Sequence, residues 1–101
     1  MSKVYGYCRV AFANEEEMTK QITLVGDYCR DHSLKVDKYF CDNGISGLST
    51  DRNGLNALLE VLQDGDVVVI RDIARLSRDS FHCMSLLEKM KDLDVELKVI
   101  K

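Results

Sequence analysis

Apolar residues fall in short blocks along this chain, and the spacing within each block identifies an element. Residues 4–10 are compactly apolar and predict a first strand. Asn14 stands where a helix cap belongs, Glu17 follows at capping-box spacing, and acidic residues fill the first turn. Met18, Ile22, Val25 and Cys29 then recur at helical spacing, so a helix is predicted over 15–30. Residues 34–41 alternate imperfectly and predict a second strand. Residues 42–50 carry two glycines, two serines and an Asn-Gly pair, the composition of a loop. Asp51 is placed to cap the next helix, whose inner face is Leu55, Leu58, Leu59 and Leu62 and which Gly65 ends. Residues 66–70 close on a β-branched run of the kind seen in parallel strands buried on both faces. A polar connection over 72–78 leads to a last helix over 79–93, expected to bury Met84, Leu87 and Met90. Residues 95–100 form a fourth strand.

Strands that alternate with helices imply parallel pairing through right-handed crossovers. The expected fold is therefore α/β, a three-layer sandwich around a mainly parallel sheet of about four strands, as one domain over 1–101. Ligands of such sheets bind at the carboxyl ends of the strands, near a topological switch point. That rule selects three segments: 9–14, 42–52 and 71–78.

Composition narrows the function classes. With 101 residues there is material for a single core. No stretch is apolar for long enough to span a bilayer, and the N-terminus carries no signal-peptide pattern, so a cytoplasmic protein without membrane contact is expected. Cys8, Cys29, Cys41 and Cys83 are widely spaced, with no CxxC and no Cys/His ligand pair; free thiols are expected, with neither disulfide nor metal site. The net charge of −3 argues against gripping nucleic acid by bulk electrostatics. Such a role must rest on a few placed arginines or on a basic segment elsewhere.

Those arginines exist. Arg9 ends the first strand, Arg52 follows the second loop, and Arg71, Arg75 and Arg78 lie in the third, beside the hydroxyls of Ser46, Ser49, Thr50 and Ser77. A guanidinium fork suits bidentate phosphate recognition and keeps its charge at working pH. Each arginine taken singly is more often a solvated charge or a partner for Asp42, Asp51, Asp72 or Asp79. Five on three consecutive loops point instead to an anion site of the kind phosphoryl transfer uses. Other chemistries lack their signatures. No GxxxxGK[ST] or GxGxxG follows a strand, and the first strand ends in Arg9-Val-Ala11 rather than the acidic cluster of a phosphoacceptor receiver. No Ser/His/Asp arrangement is evident. His32 and His82 are read as ordinary surface or packing residues, and Met18, Met84 and Met90 as core filling.

Five blocks in order, Tyr7-Cys-Arg-Val-Ala11, Asp42-Asn-Gly-Ile-Ser-Gly47, Thr50-Asp-Arg-Asn-Gly-Leu55, Gly65-Asp-Val-Val-Val69 and Ala74-Arg-Leu-Ser-Arg-Asp79, resemble the signatures of the resolvase/invertase family of serine recombinases. The resemblance spans nearly the whole chain. It implies the catalytic domain of a site-specific DNA recombinase, acting in recombination or integration of mobile elements. In that chemistry a serine hydroxyl attacks a DNA phosphodiester to give a 5′-phosphoserine link, and strands are exchanged within a tetramer. No cofactor or metal is implied, because the covalent link conserves the bond energy. By the same resemblance Arg9, Arg52, Arg75 and Arg78 fall on the arginines that bind the scissile phosphate, and Ser46 on the active-site loop serine. Arg71 matches no family position.

The departures concern the same site. Ala11 occupies the nucleophile position, Ala74 replaces the aspartate usual before Arg75, and Gln21 matches a family glutamine only across a one-residue insertion. The expectation is a recombinase domain that is inactive as written. The rival readings are a non-catalytic, recombinase-like regulatory module and a small-anion or nucleotide-binding α/β domain. The resemblance further implies that a dimerisation helix and a DNA-binding region lie outside these 101 residues. Double-stranded DNA would then be held mainly by parts not present, and dimers and tetramers would belong to the full-length protein.

Overall fold

The computed structural model describes residues 2–49 and 52–101; Thr50 and the expected cap Asp51 lie outside the described residues. Four strands, β1 (Val4–Val10), β2 (Lys38–Asn43), β3 (Val67–Ile70) and β4 (Glu96–Val99), form one sheet in the order β2-β1-β3-β4. Every pairing is parallel. The connecting helices are α1 (Glu15–Asp31), α2 (Asn53–Val61) and α3 (Ser80–Asp92), with a single 3₁₀ turn at Ile73–Arg75. The chain leaves β1 toward one edge of the sheet and β3 toward the other. The switch point therefore lies between the carboxyl ends of β1 and β3, where crevice ligands bind.

Side-chain alternation along the central strands supplies both faces of the sheet. Cys8 and Val10 of β1 and Val67 and Val69 of β3 pack with Met18, Val25 and Cys29 of α1. Tyr5, Tyr7, Val68 and Ile70 face the other way and pack with Leu55 and Leu58 of α2 and Leu86 and Met90 of α3. This is the expected three-layer sandwich, with one helix on one face and two on the other.

Three local expectations are corrected. β2 runs over Lys38–Asn43 rather than 34–41, because the β1 register pairs Tyr5 with Lys38 and continues to Val10 with Asn43. Asp42 thus belongs to a strand, not to the loop. Asp66 lies outside β3, where its carboxylate accepts from the backbone amides of Lys3 (3.0 Å) and Gln63 (2.9 Å). In α3 the inward residues are Leu86 and Met90, while Met84 and Leu87 face outward at 61% and 37% exposure. Apolar residues surround this helix, so spacing alone admits two stripes. The sheet accepts the one that continues into Leu93 and Val95.

Candidate active site

Arg9 shares the Tyr5–Tyr7 face of β1, and its side chain runs under the loop that follows β3 rather than out to solvent. It is 1% exposed and donates Nε to Arg75 O (3.2 Å), Nη1 to Ile45 O (2.9 Å) and Nη2 to Ala74 O (2.7 Å). Its backbone is held as firmly: the Gln21 side chain accepts from Arg9 N at 2.9 Å and donates to Arg9 O at 3.1 Å. Arg75 Nη1 also donates to Arg9 O, at 2.7 Å. Arg9 and Arg75 therefore clasp each other, each guanidinium reaching the other's carbonyl.

Arg52, fully buried at the start of α2, donates to the carbonyls of Leu76 and Arg75 and to Tyr7 Oη (2.7 Å). Tyr7 Oη donates in turn to Asp42 Oδ2 at 2.7 Å. The Asp42 carboxylate also accepts from the backbone amides of Gly54 (2.8 Å) and Leu55 (3.0 Å). These are first-turn donors of α2, and the cap residue Arg52 gives them no side-chain bond. One carboxylate on β2 thus caps a helix and anchors the phenol that orients Arg52. Burial, followed by the bond to Asp42, raises the Tyr7 pKa well above its ordinary value, so the phenol stays protonated and able to donate.

The second and third loops close on each other. Arg78 N donates to Gly47 O at 2.9 Å. A Cβ on Gly47 would come within 2.7 Å of both Arg78 Cγ and Arg9 Nη2, so glycine lets the loops meet without displacing either arginine. Ser77 Oγ is buried, 3.3 Å from Gly47 O and 3.1 Å from His82 Nδ1. Ser46 is exposed, and its Oγ accepts from Leu48 N at 3.1 Å.

Arg9, Arg52, Arg71, Arg75 and Arg78 share this corner with the carboxylates of Asp42, Asp72, Asp79 and Glu17. Asp72 pairs with Arg71 (2.8 Å) and Arg75 (3.2 Å). Burial alone would raise the Asp72 carboxyl, but the Arg71 hydrogen bond and the charges of Arg75 and Arg71 outweigh it and hold the group below its ordinary range. Arg9 is pushed down by burial first and then by Arg75 and Arg52. A cluster whose members depress one another's charge favours an anion. Its open side is a cavity of about 280 Å³ lined by Val10, Ala11, Phe12, Asn14, Glu17, Arg71 and Arg75. That cavity lies at the β1/β3 switch point. Ala11 presents a methyl group there, which has no lone pair with which to attack.

The structure brings Arg9, Arg52 and Arg75 into one network, places Ala11 beside Arg75, and leaves Arg78 and Ser46 exposed on the adjoining loops. Sequence reasoning set Arg71 aside, yet it lines the same cavity. The linking roles of Tyr7 and Asp42 were also missed. The one available signal was a buried-type acid directly after the apolar Tyr39-Phe-Cys41 run.

Known proteins match both the sequence and the fold. The family described as resolvase, N-terminal domain, matches residues 4–101. A resolvase of Clostridium perfringens is 32% identical over 97 residues, covering 95% of this chain and 48% of that protein. The transposon Tn3 resolvase of Escherichia coli is 30% identical over 98 residues, covering 97% and 50%. The chain thus spans about half the length of the curated relatives it matches. Among solved structures, the C-terminal catalytic domain of ISC1926 TnpA, an IS607-like serine recombinase, superposes with a TM-score of 0.87 at 26% identity, covering 98% of this chain and 67% of that one. A serine recombinase from Sulfolobus solfataricus gives 0.81 at 26% identity, covering 100% and 69%. With the ordered motifs, the parallel sheet and these matches in agreement, the chain belongs to the resolvase family of serine recombinases and has the fold of their catalytic domain.

Proposed function

We propose that this chain is the catalytic domain of a site-specific DNA recombinase that has kept its phosphate-binding corner and lost its nucleophile. The observation that carries the reading is Ala11 lining one cavity with Arg71 and Arg75 at the switch point. The scissile phosphate would sit against Arg75 and Arg71, which line the Ala11 cavity, with Arg78 exposed on the adjoining loop. Arg9 and Arg52 hold the loop that presents them, and meet phosphate themselves only if the loop carbonyls release them. In the family chemistry the hydroxyl at position 11 would attack phosphorus, form the 5′-phosphoserine bond and free a 3′-hydroxyl, with the arginines stabilising the developing charge. Loss of a serine nucleophile typically lowers turnover by on the order of a millionfold. Duplex DNA and further copies of the full-length protein are the proposed partners.

Ala11 also favours a second reading, a non-cleaving subunit that docks with active recombinase subunits and regulates them. Suicide DNA substrates test the first. Within the full-length protein, the chain as it stands is expected to form no covalent protein–DNA adduct, while Ala11→Ser restores one. An adduct formed with Ala11 in place would overturn the proposal. A folded Ala11→Ser protein that still forms no adduct, even with active subunits present, would favour the regulatory reading.

A further inference from the structure

Cys8 and Cys41 are separated by 32 residues in the chain but are direct register partners on adjacent parallel strands. In-register neighbours point to the same face of a sheet, here the α1 face, where Cys8 packs against Val25 and Cys29. Both thiols are free; Cys8 is fully buried in β1, and Cys41 is exposed on the edge strand β2. The burial follows from the layer geometry. α1 packs over β1 and β3 and leaves Cys41 open, so Cys41 is the thiol of the pair that solvent reaches.

We propose that Cys8 and Cys41 form a reversible dithiol/disulfide pair, with Cys41 as the entry thiol and a small-molecule disulfide such as glutathione disulfide as the oxidant. Paired parallel strands lie about 4.8 Å apart, inside the Cα separation that disulfides use. Parallel neighbours also project their Cβ atoms side by side, which keeps the Cβ separation close to the strand spacing and above the roughly 3.5–4.5 Å of an unstrained bridge. The bond therefore closes without a large backbone shift yet is strained, and strained disulfides are the easily reduced ones.

The exchange balances. The Cys41 thiolate attacks one sulfur of glutathione disulfide, the S–S bond breaks, and one glutathione leaves as a thiolate that takes up a proton. Cys8 then loses its proton and attacks Cys41 Sγ, expelling the second glutathione. Two protein thiols are oxidised and one glutathione disulfide is reduced to two thiols. The electrostatics favour that order. A hydrogen bond from Cys8 lowers the Cys41 thiol against burial and Asp42, while Cys8 is raised by the same bond, by burial and by the Cys41 charge. Once Cys41 carries glutathione, its charge no longer raises the Cys8 thiol. The bridge would lie one residue before Arg9 on β1 and one before Asp42 on β2, tying together the two strand ends that carry the site.

Peptide mapping by mass spectrometry, after native incubation of the chain with excess glutathione disulfide and acid quenching, tests the pair. The expected product is one linked peptide pair holding Cys8 and Cys41, which reduced glutathione reopens. Cys8→Ala is expected to stop at a Cys41–glutathione adduct. The inference is overturned if the unaltered chain ends as that adduct, as a Cys41–Cys41 dimer, or with both thiols unmodified. Should Cys8→Ala not fold, the map of the unaltered chain decides alone.

Discussion

Tyr7 Oη stands between two opposite charges, accepting from Arg52 and donating to Asp42 at 2.7 Å on each side. Tyr7→Phe keeps the ring and its packing but leaves both buried charged partners one hydrogen bond short. Such a loss costs about 1–3 kcal/mol. A urea titration is expected to show the midpoint falling with the slope unchanged; an unaltered midpoint would mean that the phenol does not orient Arg52. This link was not legible in the chain. The acid is 35 residues from the tyrosine, and nothing short of the β1/β2 register brings them together. The clustering of the arginines on the loops at one end of the sheet was legible, because residue type and spacing are written along the chain. Their burial was not: a charged side chain reads as exposed until enough carbonyls are shown to surround it.

The start of α2 lies close against the end of β2 at the site. A Cβ on Gly54 would lie 2.5 Å from Cys41 O, a backbone atom of β2 that cannot swing aside. Gly54→Ala should therefore push α2 off the strand end and loosen the bonds from Gly54 N and Leu55 N to Asp42. Forced overpacking of this kind costs about 1–3 kcal/mol. Thermal unfolding of the variant is expected at a clearly lower temperature, and an unchanged transition would contradict the contact. At this scale the sequence predicted the type and order of the α-helices and strands, though not the 3₁₀ turn at Ile73–Arg75, because hydrophobic period distinguishes the longer elements locally. It misplaced β2 by several residues and chose Met84 and Leu87 for the inner stripe of α3, because strand ends and helix faces are set by the neighbour they pack against.

For the whole molecule, the net charge of −3 and the burial of Arg9 and Arg52 leave Arg71, Arg75 and Arg78 as the arginines of this corner open to phosphate. Three phosphate contacts give a salt slope of about −3 in a plot of log affinity against log salt. Duplex binding by these residues alone is accordingly expected to be weak in roughly 150 mM salt; tight binding there, by fluorescence anisotropy, would contradict the proposed division of labour. Alternating periodicity by itself determined an α/β sheet, and the ordered motifs determined the resolvase resemblance, because both are written in residue type and spacing along the chain. Tertiary structure alone decided which arginines are clamped and which face solvent, that Asp42 reaches Arg52 through Tyr7, and that two distant cysteines are neighbours. Each of those depends on the register between strands far apart in sequence, and register emerges only when the two faces of the sheet are packed together.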